Sequence, residues 1–303
     1  MNDLVSVVLP TYCRKREMLE RAVSSVLNQT YENTEIIIVD DSPSDYEYRA
    51  DIADYAATLP GDRVIYVQNE KNLGGSLSRN RGIELARGRY ITFLDDDDEY
   101  TERKIEKQVA FMKETDCDLS FSNMIMYNEN GTVVDFREYS SIKSFDNDYL
   151  LKYHLLHHMT GTPTFMFKAE KLREIGGFEK ALVGQEFRLM LKSIESGLKI
   201  RYMNDCDIKV YRYSDGGISY GKNKIRGEKE LYSVKQKYFD RLTPREIRFV
   251  KFRYHAVMAI AYKRNRMYPK MIAEGITAVA ASPSAFAGEL TGFVKKIKQH
   301  RGE

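Results

Sequence analysis

The amino-acid sequence predicts an α/β fold: an open, mostly parallel sheet flanked by helices, followed by a helical C-terminal extension. Three observations carry that expectation. Four short β-branched runs in the first hundred residues are almost continuously apolar, as strands buried on both faces are. Segments of helical periodicity separate them, and regular strand–helix alternation is the pattern of a parallel sheet with crossover helices. From Pro244 onward the strand pattern stops and only helical spacing remains.

Taken in order, the expected strands are "VSVVLP" (5–10), "EIIIVD" (35–40), "RVIYVQ" (63–68) and "RYITFL" (89–94). The expected helices between them are "REMLERAVSSVLNQ" (16–29), a polar stretch near 46–59, and "SLSRNRGIELARG" (76–88), which has a serine start and a glycine stop. Beyond residue 118, "DLSFSNMIMY", "TPTFMFK", "LKIRYMND" and "IKVYRY" read as strands that complete the same sheet. "AEKLREIG" and "GQEFRLMLKSIESG" read as helices among them. The expected division is a catalytic domain over 1–242 and a helical extension over 243–303.

Bulk properties narrow the function classes. With 303 residues, 43% hydrophobic and 30% charged, the chain is of ordinary globular composition rather than disordered. No run approaches 18 uninterrupted apolar residues, and "MNDLVSVVLP" lacks the basic start and small-residue cleavage site of a signal peptide. Cys13, Cys117 and Cys206 are odd in number and widely spaced, which favours a reducing, cytoplasmic setting. The net charge of +3 hides an asymmetry: the last sixty residues hold twelve Lys/Arg against four Asp/Glu, the rest 35 against 40. A basic tail suggests an anionic surface, or simply a solvated helical face; no nucleic-acid signature accompanies it. Phe286, Leu290, Phe293, Val294 and Ile297 form a stripe at helical spacing, followed by Lys295, Lys296, Lys298 and Arg301. Such a helix can lie peripherally on the inner face of a membrane or pack on the helices before it.

The chemistry-bearing residues gather where strands end. "PTYCR" follows the first strand, "DDSPSD" the second, "NEKNLGG" the third and "DDDDEY" the fourth. In an open parallel sheet, ligands bind outside the carboxyl ends of the strands. Neither a G-x-G-x-x-G nor a G-x-x-x-x-G-K-[ST] loop is present to cradle phosphate. An acidic loop can do so indirectly by holding a divalent metal, and Asp95 and Asp97, two apart on an irregular loop, can face one cation. The competing structural reading makes Asp97, Asp98 or Thr101 helix caps.

"VSVVLPTYCR", "EIIIVDDSPSD", "NLGGSLSRNRGIELARGRYITFLDDDDEY" and "GGF…GQEFRLML" resemble, in order and spacing, the successive signatures of family 2 glycosyltransferases of the GT-A fold, over about residues 4–220. The resemblance implies an inverting, metal-dependent transferase moving a sugar from a nucleotide-diphospho-sugar, usually UDP-linked, to a hydroxyl of a surface glycan or lipid-linked precursor. By the same resemblance Pro10, Tyr12 and Arg14 line the nucleoside pocket. Asp40 bonds the base, with Asp41 beside it, and Asn72, Gly74, Arg79 and Asn80 close over the nucleotide. Asp95, Asp96 and Asp97 form the sugar-nucleotide and metal motif, with Asp97 and Asp95 the ligands of Mn²⁺ or Mg²⁺. Glu186, in a Gln185–Glu186 pair where the family has Glu–Asp, is the implied catalytic base; its structural alternative is a first-turn acid favoured by the helix dipole.

Two features depart from the family pattern. Where a histidine-bearing loop is usual, "YRYSDGGISYGKNK" places Tyr213 and Gly217, which leaves a third metal ligand from that loop unsupported; Lys222 and Lys224 are either phosphate contacts or solvated lysines. His154, His157 and His158 stand at helical spacing, as an acceptor-cleft wall or plain packing, since a zinc site would need further ligands. Two other functions stay open from sequence: a nucleotidyltransferase acting on sugar phosphates, and a non-catalytic nucleotide-sugar-binding module.

Overall fold

The computed structural model describes residues 2–213 and 221–288. Its elements run β1 (Val5–Thr11), α1 (Arg16–Leu27), β2 (Thr34–Asp40), α2 (Arg49–Ala57), β3 (Val64–Gln68), α3 (Gly75–Leu85) and β4 (Tyr90–Phe93). They continue with β5 (Glu99–Tyr100), α4 (Lys104–Thr115), β6 (Leu119–Ser122), β7 (Met124–Asn128), β8 (Val133–Arg137) and α5 (Asn147–His157). The remainder are β9 (Met166–Lys168), α6 (Ala169–Glu174), α7 (Gln185–Glu195), β10 (Ile200–Met203) and β11 (Ile208–Arg212), then α8 (Gly221–Gln236), α9 (Pro244–Arg264) and α10 (Tyr268–Ala281). The expected class is observed: a mostly parallel sheet flanked by helices, with a helical C-terminal part.

The chain separates into two compact units. One comprises Met1–Leu151, Met159–Lys180 and Gln185–Ser214; the other takes Lys152–His158, Ala181–Gly184 and Asp215–Glu303, so the units do not coincide with the 1–242/243–303 division.

In the first unit, a seven-stranded sheet has the order β10-β6-β9-β4-β1-β2-β3. β1 pairs in parallel with β2 and β4, β2 with β3, and β6 with β10; β9 alone runs antiparallel, between β4 and β6. All seven residues of β2, and all of β1 but Pro10, are buried, so the unbroken apolar runs reflect helices covering both faces. On one face α3 lies close to β1: a Cβ on Gly82 would stand 2.3 Å from a methyl of Val8. Only glycine permits that approach.

One expectation needs correction. The strands after residue 118 do not all complete a single sheet: β7, β8 and β11 join β5 in a second sheet of order β5-β11-β7-β8. "DLSFSNMIMY" is divided at Asn123, whose backbone N–H donates to Asp205 O at 2.9 Å and whose side chain bonds Asn204 and Tyr202. Those long-range ties turn the chain from the first sheet into the second. β8 has no counterpart among the expected strands, and on this edge strand Val133, Val134 and Phe136 are exposed.

In the second unit, α9 is secured by a capping box, Thr243 accepting from the Glu246 N–H while the Glu246 carboxylate accepts from the Thr243 N–H. The histidines serve packing. His154 is fully buried, His157 lies 4.7 Å from the Tyr153 ring and 6.1 Å from Phe249, and His158 contacts Lys235 Nζ. His158 falls beyond the end of α5 with φ of 55°, so the three do not share a helical face. Lys224 pairs with Glu228 at 2.6 Å. No helix among the described residues is long and apolar enough to cross a membrane. Gly217, and the stripe from Leu290 to Arg301, lie outside the described residues.

Two outcomes follow. Gly82→Ala gains up to about 1 kcal/mol of helix propensity but drives a methyl into Val8, an overpacking cost of about 1–3 kcal/mol, so chemical denaturation will show a net loss of stability. In the second unit, burial first and Arg253 second depress the Lys235 pKa to about 8. The unfolded chain, with the ordinary lysine value, binds more protons between about pH 8 and 10.5, so this lysine makes stability rise across that window. Lys235→Met removes the effect, which will appear as about 2 kcal/mol less stability gained between pH 7 and 10 in urea titrations of this unit's transition.

Candidate active site

The parallel register brings three loops to one edge of the sheet. Thr11 at the end of β1 pairs with Asp40 at the end of β2, and Asp40 with Gln68 at the end of β3. The ladder continues a step beyond: the Asp41 N–H donates to Thr11 O and the Asn69 N–H to Asp40 O, both at 2.8 Å. Leu94, just past β4, donates to Val8 O at 3.1 Å. The acidic segment therefore leaves the sheet beside the first loop, which separates it from the second.

The four aspartates alternate in role. Asp96 and Asp98 are buried and satisfied by the fold. Asp96 accepts from Thr11 Oγ1 at 2.8 Å, from the Tyr12 N–H at 3.3 Å and from Arg14 Nε at 3.0 Å. Asp98 accepts from the Tyr211 N–H at 3.0 Å, which pins β11 beside β5. Asp95 and Asp97 are more open, and each meets an arginine: Arg79 on Asp95, and Arg14 Nη2 on Asp97 at 2.6 Å. They are not helix caps, since α4 starts only at Lys104 and its N-cap residue, Arg103, makes no side-chain capping bond.

The local charge is under-compensated. Burial first, then repulsion from Asp96 and Asp95, lifts the Asp97 carboxyl to about 7 despite Arg14. Burial and the charges of Asp95 and Asp97 hold Asp98 well above the usual carboxylate range. Among the described residues, two arginine side chains, Arg14 and Arg79, pair with three of the four carboxylates, and Asp98 meets only a backbone N–H. The carboxylate oxygens of Asp95 and Asp97 fit a hard divalent ion such as Mg²⁺ or Mn²⁺, which often takes only one or two protein carboxylates and fills its shell from phosphate and water. Among the described residues, no group of three His, Cys, Asp or Glu is arranged for a metal, so the two carboxylates would be the chain's share.

The other expected site residues divide into those facing the cleft and those bracing it. Tyr12 is half exposed beside Asn72, which is also exposed, and Arg14 stands partly open. Asp40, by contrast, is fully buried and its carboxylate accepts from the Ser42 N–H at 2.9 Å and the Tyr66 hydroxyl at 2.8 Å. Asp41 accepts from the N–H groups of Leu73 and Gly74, both at 2.8 Å, and so fixes the start of α3. Gly74 sits there with φ of 83°, a conformation glycine adopts without strain. Asn80 spends both ends of its amide on the Phe178 backbone, at 2.8 Å each. Pro10 is half-buried near the end of β1.

Glu186 lies in the first turn of α7, half-buried, and its carboxylate has no side-chain hydrogen bond or ion pair with the described residues. Its neighbour Gln185 is buried and accepts from Arg79 Nη1 at 2.9 Å, while Arg79 Nη2 reaches Asp95. The chain Gln185–Arg79–Asp95 thus ties the start of α7 to the acidic loop and leaves the glutamate open. Sequence reasoning missed Arg21. From α1 it donates to the backbone carbonyl of Asp97 and, at 3.1 Å, to the Tyr213 hydroxyl, with its guanidinium 4.3 Å from the Tyr211 ring centre. No local pattern marks it, because its partner is 76 residues away.

Residues 6–176 match Glycosyl transferase family 2. A Methanocaldococcus jannaschii protein, the uncharacterized glycosyltransferase MJ1057, is 32% identical over 207 residues, covering 68% of this chain and 70% of its own length. Escherichia coli WfaP, a UDP-Glc:alpha-D-GlcNAc-diphosphoundecaprenol beta-1,3-glucosyltransferase, is 31% identical over 240 residues, 77% of this chain and 87% of its own. Among solved structures, S. aureus TarS 1–349 in complex with UDP-GlcNAc shares the fold, with a TM-score of 0.59 at 17% identity over 92% of this chain and 81% of that one. A matched segment longer than half the chain, carrying the acidic loop and the arginines that hold it, places this protein in glycosyl transferase family 2.

Proposed function

We propose that the protein transfers a sugar, with inversion, from a UDP-sugar to a hydroxyl of a surface glycan or lipid-linked glycan precursor. The observation that carries this reading is the open carboxylate of Glu186 beside the Gln185–Arg79–Asp95 chain: a carboxylate with no side-chain partner among the described residues, linked through its neighbour to the acidic loop. The UDP-sugar donor is supported by the UDP-GlcNAc complex of TarS and the substrate named for WfaP, whose diphosphoundecaprenol acceptor also supports the lipid-linked alternative.

In this mechanism Tyr12 lies against the nucleoside and Arg14 and Arg79 offer their remaining N–H groups to phosphate. Glu186 takes the proton of the acceptor hydroxyl as its oxygen bonds to the anomeric carbon. The bond from that carbon to the phosphate oxygen breaks on the opposite face, and its electron pair leaves with UDP. A general base in hydrogen-bond reach typically contributes ~10²–10⁴-fold. A divalent ion held by Asp95 and Asp97 supplies charge stabilisation to the diphosphate when bound. Tyr127 and Tyr211 lie with ring centres 5.9 Å apart, a platform on which sugar rings of the acceptor would stack.

Glu186→Gln will lower the UDP-release rate with acceptor by about 10²–10⁴-fold while leaving UDP affinity unchanged by calorimetry; unchanged turnover excludes Glu186 as the base. Thermal unfolding with Mn²⁺ and a UDP-sugar panel tests donor and metal together, since a ligand at a hundredfold its Kd stabilises by about 2.7 kcal/mol. The wild-type shift will require both components, and Asp97→Asn will abolish it. A shift that persists without metal rejects the metal-bridged site, and binding without turnover across donors and acceptors favours a scaffold.

A further inference from the structure

The last helical hairpin carries a surface that the transfer reaction does not use. On α10, Tyr268, Ile272, Ile276 and Val279 are spaced by four, four and three residues, so they form one stripe about 16 Å long. Their exposures are 54, 56, 66 and 37%, in a helix where only Ala278 is buried. Phe286, seven residues on, is 42% exposed, and Ile260 on α9 is 53% exposed. Isolated exposed apolar residues are ordinary, but a continuous stripe of this kind marks a binding face.

The charges around the stripe select its partner. At the turn of the hairpin Lys263, Arg264, Arg266 and Lys270 are all exposed, beside Tyr268. Across residues 260–288 the sequence holds a single acid, Glu274, and its carboxylate is turned onto His255 Nδ1 at 2.6 Å. Among the described residues, the exposed face therefore combines branched aliphatic side chains and an aromatic with the cations Lys263, Arg266 and Lys270, and the sequence from 260 to 288 offers no exposed carboxylate beside them. Pairing of this face with a second copy would bring two sets of these cations into one contact. An anionic lipid surface neutralises those cations while its acyl boundary takes up the apolar stripe. Fourteen residues are too few to span a bilayer, so the helix lies in its plane.

We infer that the α9–α10 hairpin is a membrane-docking surface, α10 lying in the interface of an anionic bilayer with the basic turn on its headgroups. The inference is independent of the donor chemistry. It is tested by cosedimentation of the full chain with vesicles of phosphatidylcholine alone or with one quarter phosphatidylglycerol, at low and high salt. The protein will partition onto the anionic vesicles, less so at high salt. The partition coefficient will fall at least tenfold in Ile272→Glu/Ile276→Glu and in Lys263→Glu/Arg264→Glu/Arg266→Glu, with circular dichroism and UDP binding retained. Four outcomes overturn it: no binding to anionic vesicles; binding indifferent to the Ile272/Ile276 pair; binding lost only when Lys295, Lys296 and Lys298 are replaced; or a dimer in solution that the Ile272/Ile276 variant dissolves.

Discussion

Repulsion among the four carboxylates at the exit of β4 is the constraint around which the first unit is arranged. Carboxylates this close and this buried cannot all be ionised without positive partners. Arg14 comes from the loop after β1, Arg79 from α3 and Arg21 from α1, and each reaches the segment through its own geometry. Their convergence ties together three stretches that are far apart in sequence. Asp96 and Asp98 are buried on partners within the fold, while Asp95 and Asp97 stay more open, each against an arginine. Burial first, and the neighbouring carboxylates second, raise the Asp97 carboxyl, and Arg14 offsets only part of that rise.

Bracing accounts for much of what surrounds the cleft. Asp40, Asp41 and Asn80 are polar residues at strand and helix ends, yet their side chains hold backbone groups in place. Through Asp41 the start of α3 is fixed; through Asn80 the same helix is fastened to Phe178. Arg79 sits on that braced helix and touches both Gln185 and Asp95, so it links the acidic loop to the start of α7. Preorganisation of this kind is how a transferase limits the reorganisation its charged transition state demands.

The second unit obeys a different logic. Lys235 is buried against His158 and loses much of its basicity to burial, a cost the surrounding packing must offset. Near it the aromatic rings of Tyr232 and Tyr254 stack with centres 3.9 Å apart. Apolar residues are thus buried on α8 and α9, while α10 turns its own toward solvent beside a cluster of cations. One unit concentrates uncompensated negative charge and the other exposes apolar surface with positive charge.

How much of this was legible beforehand follows the range of the interactions. The class of the fold was, because the strands "VSVVLP" and "EIIIVD" are apolar throughout and burial on both faces leaves that mark on every residue. The family signatures, and with them the acidic loop, were legible as ordered local motifs. The division of labour among Asp95–Asp98 was not, since four identical neighbours differ only in which distant group each meets. Arg21 was invisible for the same reason, and so was the break at Asn123 that sends β7 into a second sheet. By itself, then, the sequence determined periodicity, motif order and the sign of the charge at each loop, all properties of near neighbours. Tertiary structure alone decided which carboxylates stay open and which face of α10 goes uncovered, because burial and long-range hydrogen bonding arise only when the chain has closed on itself.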